Sequence, residues 1–205
     1  MPAKRIYLLR HARPRLPDGE KRYIGQTDVP LDKSGEEQAR LLGKMLQGQQ
    51  LAKIISSDLQ RARGTAEIIA GACSLPLEIE AGLREIDLGQ WEARAVSEIK
   101  TTYPREYELR GQKPATFHPP GGENFSDLQK RILPVFFRLV SAVRGNLAVV
   151  GHAGVNRVIL AYLLGMDLNR VFVLEQDYGC VNILSNGRNG WGVTAINCSP
   201  LHLKG

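Results

Sequence analysis

Arg10 and His11 stand side by side in LLRHARP, where an apolar run ends. Arg61 follows a second such run in IISSDLQRARGTA, and His152 follows a third in NLAVVGHAG. Guanidinium forks, imidazoles and a helix N-terminus brought together offer hydrogen-bond donors and positive dipole to the oxygens of a phosphate group. Taken singly, each is weak evidence, since a lone histidine at a strand end is more often a structural hydrogen-bonding residue. The chain has no G-x-x-x-x-G-K-[ST] segment and no G-x-G-x-x-G after a strand. Neither a nucleoside-triphosphate loop nor a dinucleotide site is therefore indicated, and no cofactor is expected. No His, Cys, Asp and Glu residues have metal-ligand spacing, so no metal ligands are assigned. Phosphoryl chemistry here would run on cationic side chains that neutralise developing charge.

The elements that must position these residues are legible from periodicity. RIYLL is a buried strand ending at Arg10 and His11, and LDKSGEEQARLLGKML is an amphipathic helix that Ser34 and Glu37 would open as a capping box. A second unit runs from Ile54 and Ile55 into a helix with Ser57 or Asp58 as N-cap, and a third from Leu147–Val150 into a helix closed by Gly165. Ser126 and Gln129 would cap a further helix that Pro134 should kink or interrupt. The tail around Asn186 to Gly190 reads as a hairpin. Alternating strands and helices predict an α/β fold, a three-layer sandwich with a mostly parallel central sheet flanked by helices. Residues 1–205 read as a single domain with a lid-like insertion at about 93–125, where prolines and glycines break up a polar stretch. In such sheets ligands bind outside the carboxyl ends of the strands, near a switch in strand order.

Composition narrows the class. At 43% hydrophobic and 23% charged residues the chain is an ordinary globular one, with no collagenous, disordered or coiled-coil signature. The apolar start is too short for a signal peptide and no segment spans a membrane, so a cytoplasmic protein with no membrane partner is expected. Cys73, Cys180 and Cys198 fit neither a disulfide framework nor a zinc site. Residues 1–22 hold seven basic residues against Asp18 and Glu20, which is most of the net charge of +6. Concentrated around His11, this charge suits a small anionic substrate. Without a basic helix carrying interspersed aromatics, nucleic acid is not an expected partner. His118 and His202 read as surface or loop histidines, and a homodimer is left open.

Six blocks, LLRHARP, RYIGQTDVPLDKSGEEQA, SSDLQRARGTA, LREIDLGQWE, PGGENFSDL and VVGHAG, resemble in order and spacing the motifs of the histidine phosphatase superfamily, the phosphoglycerate-mutase-like family. The resemblance covers nearly all of residues 5–165. It implies a metal-independent phosphomonoester hydrolase that works through a covalent phosphohistidine. His11 would be the nucleophile, with Arg10, Arg61 and His152 lowering its pKa and holding the phosphoryl oxygens. Glu85 would be the proton donor, although read from the residues alone it is a surface carboxylate paired with Arg84, and Asp87 is its rival. Gln26 and Thr27 match a block that contacts phosphate, and Arg22 and Tyr23 match positions on the substrate side. Trp91 would pack beside the site.

Among members of the family, RYIGQTDVPL and the short length look most similar to the α-ribazole-phosphate phosphatases. A phosphoglycerate mutase is the enzymatic alternative, and a non-catalytic phosphate-binding module is the alternative of another class. One departure stands out. Ala12, Arg13 and Pro14 follow the Arg-His pair where the family usually has glycine, an acidic residue and a hydroxyl, which weighs against sugar-phosphate mutase activity.

Overall fold

A computed structural model describes residues 4–188 and 190–199, with only the backbone for Asp18. His202 and Asn189 of the expected tail turn lie outside the described residues. The strands are β1 (Lys4–Arg10), β2 (Leu51–Ser56), β3 (Leu77–Ile79), β4 (Asn146–Gly151), β5 (Val181–Gly187) and β6 (Gly190–Cys198). The helices are α1 (Lys33–Leu46), α2 (Gln60–Cys73), α3 (Val96–Thr102), α4 (Pro104–Gln112), α5 (Phe125–Ala142) and α6 (Ala153–Leu163). One sheet runs in the order β3-β2-β4-β1-β5-β6. Its first four strands are parallel, β5 is antiparallel to β1, and β6 forms the expected hairpin with β5.

β1 and β4 are continuous apolar runs because both faces of the sheet are covered. Ile6 and Leu8 pack with Leu147, Val149 and residues of α5 and α6, whereas Tyr7 and Leu9 pack with Leu42 of α1 and Ala66 and Ile69 of α2. The result is the three-layer α/β sandwich with helices on both faces. The chain leaves β1 towards β2 on one side, and leaves β4 towards β5 on the other, across β1. The strand order therefore switches between the carboxyl ends of β1 and β4, where α/β sheets bind ligands.

Helix starts differ from the expected ones. Asp32, not Ser34, caps α1 by accepting from the Gly35 amide at 2.7 Å, and Ser34 donates to Asp32 instead. Neither Ser57 nor Asp58 caps α2. The Gln60 amide donates to Asp28 at 2.7 Å, a cap supplied from a distant loop. Asn124 and Asp127, two residues before the predicted pair, form the capping box of α5. That helix runs unbroken through Pro134, because Leu128, Ile132, Phe136, Leu139 and Val140 are buried on both sides of it. Packing thus overrides a local cost of about 3 kcal/mol.

Segment 93–125 contains α3 and α4 and is tied to the first loop through backbone bonds between Tyr23 and Arg94, and between Val96 and Lys21. Among the described residues no helix is long and apolar enough to cross a membrane. The three cysteines are free. Burial pushes the Cys180 thiol up to about 11.

Candidate active site

The ends of β1, β2 and β4 are laced together. The His11 amide donates to Gly151 O at 3.0 Å and the Ser57 amide to Val150 O at 3.0 Å, so the three strand-to-helix junctions converge. His11, His152 and Arg61 are 3%, 0% and 1% exposed, and the two imidazole centroids stand 5.2 Å apart. His11 Nδ1 lies 2.8 Å from the carbonyl of Ala12, which can only accept, so Nδ1 carries the proton. Its Nε2 accepts from Arg61 Nε–H at 3.2 Å through the lone pair of a neutral ring. The other Arg61 donors reach the carbonyls of Thr27, at 2.8 Å, and Gly25. Ala12 has negative φ, so the missing glycine costs nothing there. Its amide is fixed on Thr65 Oγ1.

Burial, then Arg61 and Arg10, hold the His11 imidazolium well below the usual histidine range. Burial, Arg61, His11 and Arg10 do the same to His152. His152 Nε2 bonds the Ser57 hydroxyl at 2.9 Å. Its Nδ1 and the Nε of Arg10 are buried without a partner, two polar groups left open beside His11. Arg10 Nη1 donates to Gln176 O at 2.6 Å, and the guanidinium lies 3.8 Å from the Tyr178 ring centroid.

Both histidines resist protonation only when folded, whereas the unfolded chain binds protons near pH 6.5. The unfolded state therefore carries more protons below that pH, and folding stability falls as pH drops. Each histidine contributes about 1.4 kcal/mol per pH unit. Urea unfolding of wild type and of a His11→Asn/His152→Asn double variant between pH 6.5 and 5 checks this. The wild-type slope should be steeper by about 2 to 3 kcal/mol per unit. Equal slopes would contradict it.

Glu85 enters from the loop after β3. Its Oε2 accepts from the Gly154 amide in the first turn of α6 and its Oε1 from the Ile86 amide, both at 3.0 Å. Arg84 does not pair with it; that arginine grips Asp58. Asp87 accepts from the Gly89 amide.

Arg10, His11, Arg61 and Glu85 all line one open cavity of about 1150 Å³, together with Arg22 and Tyr23. Gln26 and Thr27 do not line it. Both amides and the Thr27 hydroxyl are engaged by Glu92, and the Gln26 side chain donates to Glu85 O. These two residues build the loop that Arg61 holds. Trp91 is buried behind Tyr23 and Phe117.

Tyr178, Arg110 and Arg157 are among the cavity residues that the sequence reading did not single out. Only Arg157 left a signal, being four residues after Ala153 on one helix face. Arg13 is exposed at the mouth and paired with Asp32. Among the described residues no group of three or more His, Cys, Asp or Glu side chains is placed to hold a metal ion.

A buried neutral imidazole among arginines, at the strand-order switch of an α/β sandwich, defines a phosphate-handling enzyme. The chain belongs to the histidine phosphatase superfamily (branch 1), whose sequence profile matches residues 6–199. It is 31% identical over 164 residues to a protein of Salmonella choleraesuis named "probable phosphoglycerate mutase GpmB", covering 78% of this chain and 75% of that protein. Solved structures of similar fold include two phosphatases. The mycobacterial glucosyl-3-phosphoglycerate phosphatase is 27% identical with a TM-score of 0.85, covering 96% of this chain and 100% of that one. The α-ribazole phosphatase of Shigella flexneri is 26% identical with a TM-score of 0.83, covering 95% and 96%.

Proposed function

We propose that this chain is a metal-independent phosphomonoester hydrolase that works through a phosphohistidine on His11. The tautomer carries the reading: with Nδ1–H tied to Ala12 O, the lone pair of Nε2 is the nucleophile. Nε2 attacks phosphorus and the ester oxygen departs, taking a proton from Glu85. Water then attacks the phosphohistidine, Glu85 accepts its proton, and phosphate is released. Arg10 and Arg61 hold the equatorial oxygens, and the open His152 Nδ1 and Arg10 Nε supply further donors as charge develops. The likeness of RYIGQTDVPL brings α-ribazole phosphate forward as substrate, with phosphoglycerate mutase activity the runner-up. The cytoplasm is the expected location, in keeping with three free thiols.

The test is turnover of p-nitrophenyl phosphate in excess EDTA, with quenched enzyme assayed for a phosphoryl group that is acid-labile and alkali-stable. Turnover with such an adduct is the expected result. An inactive wild type, or an adduct stable in acid, would overturn the mechanism.

The donor role of Glu85 is checked through its neighbour. A Cβ on Gly154 would stand 2.4 Å from Glu85 Oε1, so Gly154→Ala must push the carboxyl aside. A displacement of this size costs about 100-fold in rate, and general acid help is worth about 10² to 10⁴. The loss should be larger for an alkyl phosphate, whose alkoxide needs the proton, than for p-nitrophenyl phosphate. Equal losses on both esters would remove Glu85 from the role.

A further inference from the structure

Besides Arg10 and Arg61, the cavity wall carries Arg110 and Arg157. Arg110 Cζ of α4 lies 5.2 Å from the Phe172 ring centroid, 5.3 Å from that of Tyr23 and 5.9 Å from that of Phe125. Arg157 Cζ of α6 is 5.6 Å from the same Phe172 ring, and its Nε donates to Leu174 O at 2.9 Å. Phe172 is thus shared between two guanidinium groups. Among the described residues no carboxylate lies within ion-pair distance of either, and the Arg110 guanidinium makes no hydrogen bond.

Glu85 is the acid that acts on both through space, but its oxygens are committed to the Ile86 and Gly154 amides. Burial holds both arginines below their ordinary range, and Arg10, then Arg110, add repulsion on Arg157. Aromatic faces offset part of the desolvation, yet they accept none of the five N–H donors that Arg110 presents. Two half-buried like charges that line one cavity with no carboxylate paired to either repel each other in the free protein, and a bound anion offsets that repulsion.

We infer that Arg110 and Arg157 form a second anion subsite, so that the preferred substrates are phosphomonoesters whose leaving group carries a further carboxylate or phosphate. The inference rests on the hydrolase reading above and adds the substrate class; it ranks esters of the phosphoglycerate type above α-ribazole phosphate, whose leaving group is uncharged. Glu85 lines the same cavity as Arg61, Arg110 and Arg157, so an ester that reaches the proton donor has all three arginines around it. An uncharged leaving group leaves both arginines uncompensated, and sites built on buried polar groups discriminate strongly against ligands that do not pair them.

Two matched pairs of esters test this. 3-Phosphoglycerate and glycerol 3-phosphate differ in a carboxylate against a hydroxymethyl group; fructose 1,6-bisphosphate and fructose 6-phosphate differ in a second phosphate. Wild type should favour the doubly anionic member of at least one pair by about tenfold or more in kcat/KM, chiefly through KM. Arg110→Gln and Arg157→Gln should erase that preference, with a loss on the doubly anionic ester at least about tenfold greater than on p-nitrophenyl phosphate. Arg110→Lys should restore part of it.

Calorimetric binding of the same esters to the His11→Asn protein gives the comparison without turnover. No preference in either pair, or a preference that both glutamine variants leave intact, would overturn the subsite. Failure of His11-dependent p-nitrophenyl phosphate hydrolysis would overturn the hydrolase reading instead. Intact aryl phosphatase activity with no preference would remove the second subsite alone.

Discussion

Asparagine at His11 should lower p-nitrophenyl phosphate turnover by at least about 10⁴-fold and abolish the acid-labile phosphoryl adduct, while inorganic phosphate still binds. The reason lies in the division of labour around the ring. Nδ1–H is a positioning contact on Ala12 O, and an asparagine amide can reproduce a donor near that place. In the proposed mechanism Nε2 forms the bond to phosphorus, and no amide replaces its lone pair. The proposed phosphate donors, on Arg10, Arg61 and His152, survive the substitution. Phosphate affinity should therefore fall by no more than about 10- to 150-fold, since one hydrogen bond to a charged group is worth about 1.5 to 3 kcal/mol at most. Competition by inorganic phosphate cannot be read in an inactive variant, so calorimetry is the measurement. Residual turnover above a tenth of wild type would show that another group attacks phosphorus.

The strands were the most legible part of the chain, for a physical reason. β1 and β4 are covered on both faces, so their runs are continuously apolar and end where the carboxyl edge of the sheet meets the cavity. His11 and His152 could be placed from those endings alone. Glu85 could not. Its neighbour Arg84 suggested a surface pair, and only the fold reveals that Arg84 reaches back to Asp58 and leaves the glutamate to the first turn of α6.

Gln26 and Thr27 are the converse case. Motif likeness implies contact with phosphate, and in the structure Glu92, far away in sequence, takes their amides, so they shape the loop that carries two of the carbonyls on Arg61. Helix starts shifted for the same reason. Local spacing names a nearby hydroxyl, whereas Asp28 arrives from another loop to cap α2. Tyr178 and Arg110 face the cavity from a turn and from α4, whose approach to His11 no periodicity encodes.

Methionine at Arg61 should cost about 10³-fold in kcat/KM and move the acidic limb of the pH profile upward. Arg61 donates to His11 Nε2 and to two carbonyls of the Gly25–Thr27 loop, so it acts on the nucleophile and on the loop at once. Removing one preorganised donor to developing charge costs about 10² to 10³ in rate, and here that donor is also a cation.

The shift of the profile follows from the causes of the His11 pKa. Burial is the largest and persists in the variant, whereas the repulsion from Arg61, next in size, disappears. Imidazolium then forms at a higher pH than in wild type, though still below the ordinary histidine value. Because kcat/KM reports groups of the free enzyme, activity in the variant should begin to fall at a pH where wild type is still fully active. Arg61→Lys keeps the charge and should keep the limb in place while losing the fork that spans Nε2 and the loop. A methionine variant that lost rate with no movement of the acidic limb would mean that Arg61 binds phosphate without governing the protonation of His11.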